Sequence, residues 1–360
     1  MSTQSIFKNL KIIDLSTVLA GPSVGSFFAE LGAEVIKIEN PVYPDITRSW
    51  KLPNEEKNSS VSAYFSSINY KKNYQQLNLK EDVDRAKLFD LLKTADVVLM
   101  NFKLGDQEKL KIADAQLHSI NPQLIIGKVN GFGVESDRVA YDLILQAESG
   151  IMSMNGTPES GPVKMPIALI DVLAAHHLKE GILIELFSKK GNQNYKGSSI
   201  SVSLYDAAVS SLVNQASNYL MAQHVAQRIG SLHPNIAPYG ELFQTSDNRT
   251  ITFAIGSNRH FSQLCEYLSL SQLTEDKLFS TVQQRVKNRS LLFELLKEKI
   301  KQLSADEILN YMHEHYVPCG EVKDLAAVFK SEMAQGLIRT EIIEGIETKR
   351  VTGIAFRINK

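Results

Sequence analysis

The first 133 residues alternate between buried-strand and helical patterns, and this alternation restricts the fold more than any other feature. LKIIDLS (10–16) and EVIKIENP (34–41) are β-branched, apolar runs typical of buried strands. Between them, VGSFFAELGA (24–33) has helical spacing. A strand–helix–strand unit of about 30 residues is the size of a parallel crossover. The chain therefore begins like a parallel sheet covered by helices.

The same pattern recurs further along the chain. DRAKLFDLLKTA (84–95) predicts an amphipathic helix, and DVVLMNF (96–102) and LIIGKVNGFG (124–133) predict two more strands. A helix over about 170–189 and a strand over 198–204 follow. These elements predict an α/β fold whose large domain is Rossmann-like, with a mainly parallel, doubly wound sheet.

The remaining segments suggest a second, smaller domain. Residues 45–75 and 134–164 are polar or rich in glycine and predict long functional loops. A chain of 360 residues is long for a single core. We therefore expect four parts: a large domain at 1–200, its completion by about 325–360, a linker helix at 201–232, and an α+β domain at 233–324.

Composition excludes several classes of function. The net charge is −1, from 39 basic and 40 acidic residues, so we expect neither nucleic acid nor an anionic membrane as a partner. No apolar run approaches the roughly 18 residues of a membrane span. The N-terminus lacks a signal-peptide pattern, and there are only two cysteines. A cytoplasmic protein is the expectation.

Common cofactor and metal motifs are also missing. Gly21, Gly25 and Gly32 do not have the spacing of a dinucleotide fingerprint. His176 and His177 are adjacent, so they diverge by about 100° on a helix and cannot both join a carboxylate as metal ligands. We predict no metal site.

Asp171 is the residue that most needs an explanation. It lies within MPIALIDVLAAHHLKEGILIEL (165–186), an otherwise apolar stretch, and burying an unpaired carboxylate is costly. One interpretation is a helix N-cap, worth about 1 kcal/mol. The other is a nucleophile that the helix dipole keeps ionised. The residues alone leave both interpretations open.

Several segments together resemble the family III CoA-transferases, also called the CaiB/BaiF family. The similarity runs in order along nearly the whole chain and includes the following motifs: IIDLSTVLAGPSVGSFFAELGAEVIKIENP (12–41), INYKKNYQQLNLK (68–80), DVVLMNF (96–102), NPQLIIGKVNGFG (121–133), the Asp171 helix with KKGNQNYKGSSISVSLYDAA (189–208), HPNIAPY (233–239), AIGSNRHFSQLC (254–265) and VPCGEV (317–322).

The resemblance implies a fold, an assembly and a set of site residues. Members of this family have a Rossmann-like domain built from both chain ends, and they form interlocked homodimers. It implies that Asp171 is the nucleophile of a covalent transfer of CoA between an acyl-CoA and a carboxylic acid. No cofactor is implied beyond CoA, which is a substrate. The CoA-binding positions implied by the resemblance are Val18, Leu19, Ala20, Arg48, Lys72, Asn101, Phe102 and Lys109.

The chain departs from the family at positions that are often cationic. Three of these are amides here: Asn40, Asn73 and Asn130. Lysines that can compensate are Lys71, Lys103 and Lys128. The reduced set of cations motivates one alternative, a catalytically silent CoA-binding relative.

Tyr141 separates the transferase interpretation from the remaining alternative, an α-methylacyl-CoA racemase. Racemases of this fold use two bases, of which one matches Asp171 and the other is a histidine. Tyr141 stands at the histidine position, and a phenol with a reference pKa near 10 is a poor base. We therefore favour a transferase and assign Tyr141 a place in the catalytic site.

Overall fold

A computed structural model describes residues 6–358. The chain divides into two compact units. The large unit combines the chain up to Ser153 with Lys164–Ala226 and everything from Gly336 onward. The small unit comprises Met154–Val163 and Gln227–Gln335. The linker helix expected at 201–232 is therefore mostly within the large unit, and the return to the large unit begins about ten residues later than the sequence suggested.

The large unit contains a six-stranded sheet. Its strands are β1 (Lys11–Asp14), β2 (Glu34–Glu39), β3 (Asn73–Gln76), β4 (Val97–Met100), β5 (Ile125–Asn130) and β6 (Ser199–Ser203). They lie in the order β3-β2-β1-β4-β5-β6, and every neighbouring pair is parallel. The predicted α/β class is confirmed. The strand order reverses between β1 and β4, where parallel sheets open a crevice at their carboxyl ends.

Within residues 6–226, the structure has ten α-helices. They are α1 (Ala20–Glu30), α2 (Ala63–Ile68), α3 (Asp82–Leu92), α4 (Asp106–Lys109), α5 (Asp114–Ile120), α6 (Asp142–Glu148), α7 (Ile151–Met154), α8 (Leu169–Lys189), α9 (Leu204–Ser210) and α10 (Val213–Ala222). Apolar residues of α1, α8 and α9 form one core with the sheet, and those of α3 and α5 form another. The two cores are the buried faces of a doubly wound fold.

The small unit has its own core and a short antiparallel sheet. Its elements are β7 (Tyr239–Gln244), β8 (Thr250–Ala254), α11 (Asn258–Tyr267), α12 (Val282–Lys287), α13 (Arg289–Ile300), α14 (Ala305–Glu314), β9 (Cys319–Glu321), α15 (Leu325–Val328) and α16 (Glu332–Gln335). The sheet order is β7-β8-β9, with both pairs antiparallel. This is the expected α+β composition.

The end of the chain returns to the large unit as a hairpin. β10 (Ile338–Ile343) and β11 (Ile346–Val351) pair in antiparallel fashion. Ile343 packs with Val61 and Phe65, the latter on α2. Both ends of the chain thus contribute to one unit. No helix among residues 6–358 has the length and apolar character needed to cross a bilayer.

Three segments differ from the sequence prediction. The expected loop at 134–164 contains the helices α6 and α7. The expected loop at 45–75 contains a 3-10 turn (Ile46–Ser49), α2 and the edge strand β3. The sequence of β3 is NYQQ, which is polar because an edge strand need not be apolar on both faces. The linker helix expected at 201–232 is divided into α9 and α10, and Val213 at the start of α10 has a positive φ of 43°.

Helix α1 lies very close to the end of β1, and two glycines allow this. A Cβ atom on Gly21 would lie 2.3 Å from the Ser16 hydroxyl oxygen, and one on Gly25 would lie 3.2 Å from an Asp14 carboxylate oxygen. Any side chain at Gly21 would push the helix away from the strand. The turn at residues 17–19 is therefore fixed at the carboxyl edge of the sheet.

Candidate active site

A cavity of about 420 Å³ opens at the carboxyl edge of the sheet. It is bounded by the segments that follow β1, β4 and β5 and by the first turn of α8. Residues assigned from the sequence that line it are Val18, Leu19, Ala20, Asn101, Phe102, Tyr141 and Asp171. Segments far apart in sequence meet here because the strand order reverses between β1 and β4.

Asp171 is the third residue of α8, not its N-cap. The N-cap residue is Ala168, and its side chain makes no capping hydrogen bond. The capping interpretation of Asp171 is therefore wrong. Its side chain lines the cavity although the residue is only 9% exposed. Among residues 6–358, its carboxylate has neither a hydrogen-bond nor an ion-pair partner.

Asp171 has an unusual electrostatic environment. Burial, and secondarily the charge of Asp142, raise the pKa of Asp171 from 3.8 to about 7. Asp142 is held at the start of α8 because an oxygen of its carboxylate accepts the Ile170 N–H at 2.7 Å. The sequence-based interpretation considered only the helix dipole, and it omitted burial and the charge of Asp142, which both favour the neutral acid. Near neutral pH, Asp171 is divided between its two protonation states.

Tyr141 occupies the N-cap position of α6 and is 52% exposed. Its ring lines the cavity together with Asp171. The next residue, Asp142, accepts hydrogen bonds from Gln146 as well as from Ile170. The start of α6 is thereby tied to the start of α8, so that Tyr141 and Asp171 are held in the wall of one cavity.

Tyr64 is a neighbour of Asp171 that sequence reasoning did not find. Burial, and then the charge of Asp171, raise the pKa of Tyr64 to about 12, so this phenol remains protonated. Its ring packs edge-on against Trp50, with centroids 5.1 Å apart. Both residues lie in the segment that the sequence predicted as a loop, and no motif there marked Tyr64.

Asn101 and Phe102 contribute to the cavity in different ways. The Asn101 side chain accepts the Thr17 N–H at 3.0 Å and donates to the Thr17 carbonyl at 2.9 Å. Phe102 packs against the core on one face of the sheet and also lines the cavity. Asn101 therefore fixes the turn after β1, and Phe102 contributes both to the core and to the cavity wall.

Three cations line the cavity. Lys103 is exposed and has no ion-pair partner among the described residues. Lys128 pairs with Asp114 at 2.6 Å. Arg138 pairs with Glu148 and lies 3.8 Å above the ring of Phe132. Lys103 and Lys128 are two of the three compensating lysines suggested by the sequence, and the third, Lys71, does not line this cavity. Arg138 was missed because its segment carries no recognisable phosphate motif.

Arg48, Lys72 and Lys109 are not in the cavity lining. The Lys72 ammonium is fully buried and donates to Asp14 at 2.8 Å. Arg48 pairs with Glu39 at 2.6 Å, and Lys109 pairs with Asp106 on α4. Arg48 and Lys72 thus stabilise the structure behind the cavity, which differs from their expected place beside the ligand.

No cluster of three or more His, Cys, Asp or Glu side chains suited to a metal ion occurs within residues 6–358. The cavity lining includes the Asp171 carboxylate, the Tyr141 phenol and three cations, together with the acidic residues Glu108 and Asp137 and several neutral polar residues. The cations can bind an anionic ligand beside Asp171. A carboxylate with a pKa of about 7 is ionised in part at neutral pH and can then act as a nucleophile.

Comparisons with known proteins identify the family of this chain. The family model for CoA-transferase family III matches residues 7–358. A succinate–glutarate CoA-transferase of Agrobacterium fabrum is 31% identical over 91% of this chain and 82% of its own length. Human succinyl-CoA:glutarate CoA-transferase is 30% identical over 89% of this chain and 73% of its own length.

A solved structure of a CaiB/BaiF family protein from Brucella suis is also similar. It is 33% identical, with a TM-score of 0.85 over 98% of this chain and 93% of the Brucella chain. The fold, the sequence matches and the family model therefore agree over nearly the full length. We conclude that this chain belongs to CoA-transferase family III and is a CoA-transferase.

Proposed function

We propose that this enzyme transfers CoA between an acyl-CoA and a dicarboxylic acid through covalent intermediates on Asp171. The observation that carries the proposal is the Asp171 carboxylate, which lines a cavity and has no partner among residues 6–358. A carboxylate that served only the fold would be expected to have a hydrogen bond or an ion pair. A nucleophile must keep its lone pairs free for the substrate.

The first half of the reaction starts with the ionised carboxylate. An Asp171 oxygen attacks the thioester carbonyl, the C–S bond breaks, and CoA leaves as a thiolate. The product is a mixed anhydride between the acyl group and Asp171. The thiolate then attacks the aspartyl carbonyl, which releases the first carboxylic acid as its anion and leaves an aspartyl-CoA thioester.

The second half repeats these steps in reverse with the acceptor acid. The acceptor carboxylate attacks the aspartyl thioester and expels CoA thiolate, which then attacks the acceptor carbonyl of the new anhydride. Asp171 leaves as a carboxylate, so the enzyme is regenerated without net proton uptake or oxidation. Thioesters and anhydrides are both activated acyl groups, and the proposal therefore includes no cofactor other than CoA as substrate.

Two neighbouring groups can assist these steps. Tyr141 lies in the same cavity wall, and its hydroxyl can donate a hydrogen bond to the oxyanion that develops at the attacked carbonyl. The backbone amides at the start of α1 have no side-chain cap and remain available to oxygen atoms of CoA. The Tyr141 contact stabilises charge that is larger in the transition state than in the bound substrate, whereas the amide contacts hold CoA in place.

The dicarboxylate class rests on the relatives and on the cavity cations. Both named relatives carry succinate or succinyl-CoA and glutarate in their names. A second carboxylate needs a cation, and Lys103 and Arg138 line the cavity. We further propose an interlocked homodimer acting in the cytoplasm, by analogy with the family.

Mass spectrometry tests the covalent step directly. After incubation with succinyl-CoA, the peptide containing Asp171 should gain the mass of CoA minus water, and hydroxylamine should remove the adduct. Asp171→Asn should show no adduct and no turnover while still binding CoA. An Asp171→Asn enzyme with normal turnover, proven free of deamidation, would exclude Asp171 as the nucleophile.

A hydrogen-exchange measurement separates this function from racemisation. A racemase must exchange the α-proton of a 2-methylacyl-CoA with solvent, and a transferase of the proposed mechanism does not. We expect no deuterium at the α-carbon in ²H₂O. Rapid exchange that depends on Asp171 would favour the racemase.

A further inference from the structure

Val18 has a backbone conformation that a valine rarely adopts. Its φ is +72°, in the left-handed region, where a β-branched side chain is strongly disfavoured. Val18 also lines the cavity beside Asp171. Strained residues persist only where surrounding interactions hold them, and they concentrate at functional sites. Neighbouring groups must therefore hold Val18 in this conformation.

The carboxylate of Asp45 holds Val18 in its left-handed conformation. The Val18 N–H donates to both Asp45 oxygens, at 3.3 and 3.2 Å. The Asp45 side chain has no exposed surface, so water does not compete for this contact. Thr17, the preceding residue, is fixed separately through its N–H and its carbonyl by Asn101. The turn is thus held on both sides.

Asp45 is itself fixed by buried partners. The Lys37 ammonium, on β2, lies 3.2 Å from one Asp45 oxygen and also donates to the Ser16 carbonyl. Thr47 donates to the other oxygen through its N–H at 3.1 Å and its hydroxyl at 2.8 Å. A buried charge pair that is hydrogen-bonded on all sides is rigid, whereas either charge alone would be costly.

We propose that Asp45 is a positioning residue for CoA, which with Lys37 holds Val18 in its left-handed conformation and so fixes the turn at 17–20 against the ligand. The proposal rests on the cavity being the CoA site, as in the proposed function. Asp45 touches no substrate. It accepts the Val18 N–H and orients the carbonyl and amide groups that follow, which precede the uncapped first turn of α1.

The first test is Asp45→Asn. Asparagine has a single acceptor oxygen, so its amide group must face either the Thr47 donors or the Lys37 ammonium, and the Val18 N–H keeps only one acceptor, which carries no charge. We expect free CoA, measured by isothermal titration calorimetry, to bind about tenfold more weakly, as expected for loss of one charged hydrogen bond. The matched control is Asp90→Asn, which removes an exposed charge pair on α3 and should leave binding unchanged.

The decisive test is rescue by Val18→Gly. Glycine adopts positive φ without the cost that valine pays, so it needs no carboxylate to hold it there. In the Asp45→Asn background, Val18→Gly should restore CoA affinity to within about threefold of the parent, whereas Val18→Ala, which keeps a Cβ atom, should restore much less. A purely structural role of Asp45 predicts no rescue by glycine, and that result would overturn the proposal.

A milder variant keeps the test valid if Asp45→Asn does not fold. Thr47→Val removes one hydrogen bond to Asp45 and leaves the charge pair intact. It should weaken CoA binding by about threefold, less than Asp45→Asn does, because Asp45 keeps its charge and its contact with the Val18 N–H, and Val18→Gly should again reverse the effect. Unchanged affinity in a folded Thr47→Val and a folded Asp45→Asn would refute the inference.

These outcomes are independent of the chemistry at Asp171. CoA binding is measured without turnover, so weak binding in Asp45→Asn combined with normal turnover in Asp171→Asn would reject only the proposed mechanism. Normal CoA binding in Asp45→Asn combined with an adduct on Asp171 would reject only the positioning role.

Discussion

Replacing Asp142 with asparagine tests the electrostatic argument at the active site. Burial and Asp142 together raise the pKa of Asp171 from 3.8 to about 7, a rise of about 3 pH units (7 − 3.8). Burial is the larger cause, so Asp142 contributes less than half of this rise. Without its charge, the Asp171 pKa should fall by less than about 1.6 units, to a value between about 5.4 and 7.

The assay is the pH dependence of kcat/KM for the acyl-CoA, because this ratio reports ionisation in the free enzyme. Asp171 attacks as an anion, so activity should rise with pH through about 7 in the parent enzyme. In Asp142→Asn the rising limb should move to lower pH. A parent limb far below 7, or a limb that does not move in the variant, would refute the reasoning.

The variant has a structural cost that can be measured separately. Asp142 accepts the Ile170 N–H with one oxygen and a Gln146 N–H with the other. Asparagine keeps one acceptor and places an amide donor against a second donor, which we expect to cost about 1–3 kcal/mol of unfolding free energy. Thermal denaturation at each pH separates this loss from the shift of the pH profile.

Three further predictions concern other residues. Asp171→Asn should raise the unfolding free energy at pH 8 by up to about 4 kcal/mol but should not raise it at pH 3. The reason is that the Asp171 pKa is higher in the folded than in the unfolded protein, so this carboxyl destabilises the fold as the pH rises from the unfolded pKa to the folded one. Equal stabilities of parent and variant at pH 8 in a denaturant titration would contradict this. Lys72→Met should lower the unfolding free energy by about 3–5 kcal/mol, since it leaves Asp14 buried without the ammonium that pairs with it. The CoA affinity measured by calorimetry should not change. Weaker CoA binding in a fully stable variant would show that Lys72 contacts the ligand. Lys103→Ala should weaken CoA binding about two- to fivefold at low salt, with little effect at high salt or on stability; an unchanged affinity would remove Lys103 from the site.

The sequence predicted the elements whose pattern is set by burial. β1, β2, β4 and β5 are apolar because both faces of a parallel sheet are covered, and all four were found. β3 was missed because an edge strand can be polar. β6, at the opposite edge, was predicted at 198–204 because it keeps Ile200 and Val202. The rule that finds a buried strand therefore finds an edge strand only when that strand is partly apolar.

The site was predictable only in part, for a related reason. Resemblance placed Asp171 and the turn at 17–20, and the structure brings them into one cavity. It also assigned Lys72 to CoA, but a lysine in a polar segment can equally pair with a carboxylate 58 residues earlier, here Asp14. Likewise, the Asp171 pKa depends on Asp142, which lies on another helix. Pairings between distant segments determine which cations remain available to the ligand.

The environment of Asp171 also bears on the stability of the proposed intermediate. Burial and Asp142 disfavour the anion, whereas an aspartyl thioester carries no charge at that position. Above pH 7, forming the thioester therefore relieves a penalty that approaches about 4 kcal/mol, at 1.36 kcal/mol per pH unit. An arginine beside Asp171 would remove this advantage by stabilising the carboxylate. A nucleophile without a cation is thus suited to a reaction in which the enzyme must hold CoA as an ester until the acceptor acid arrives.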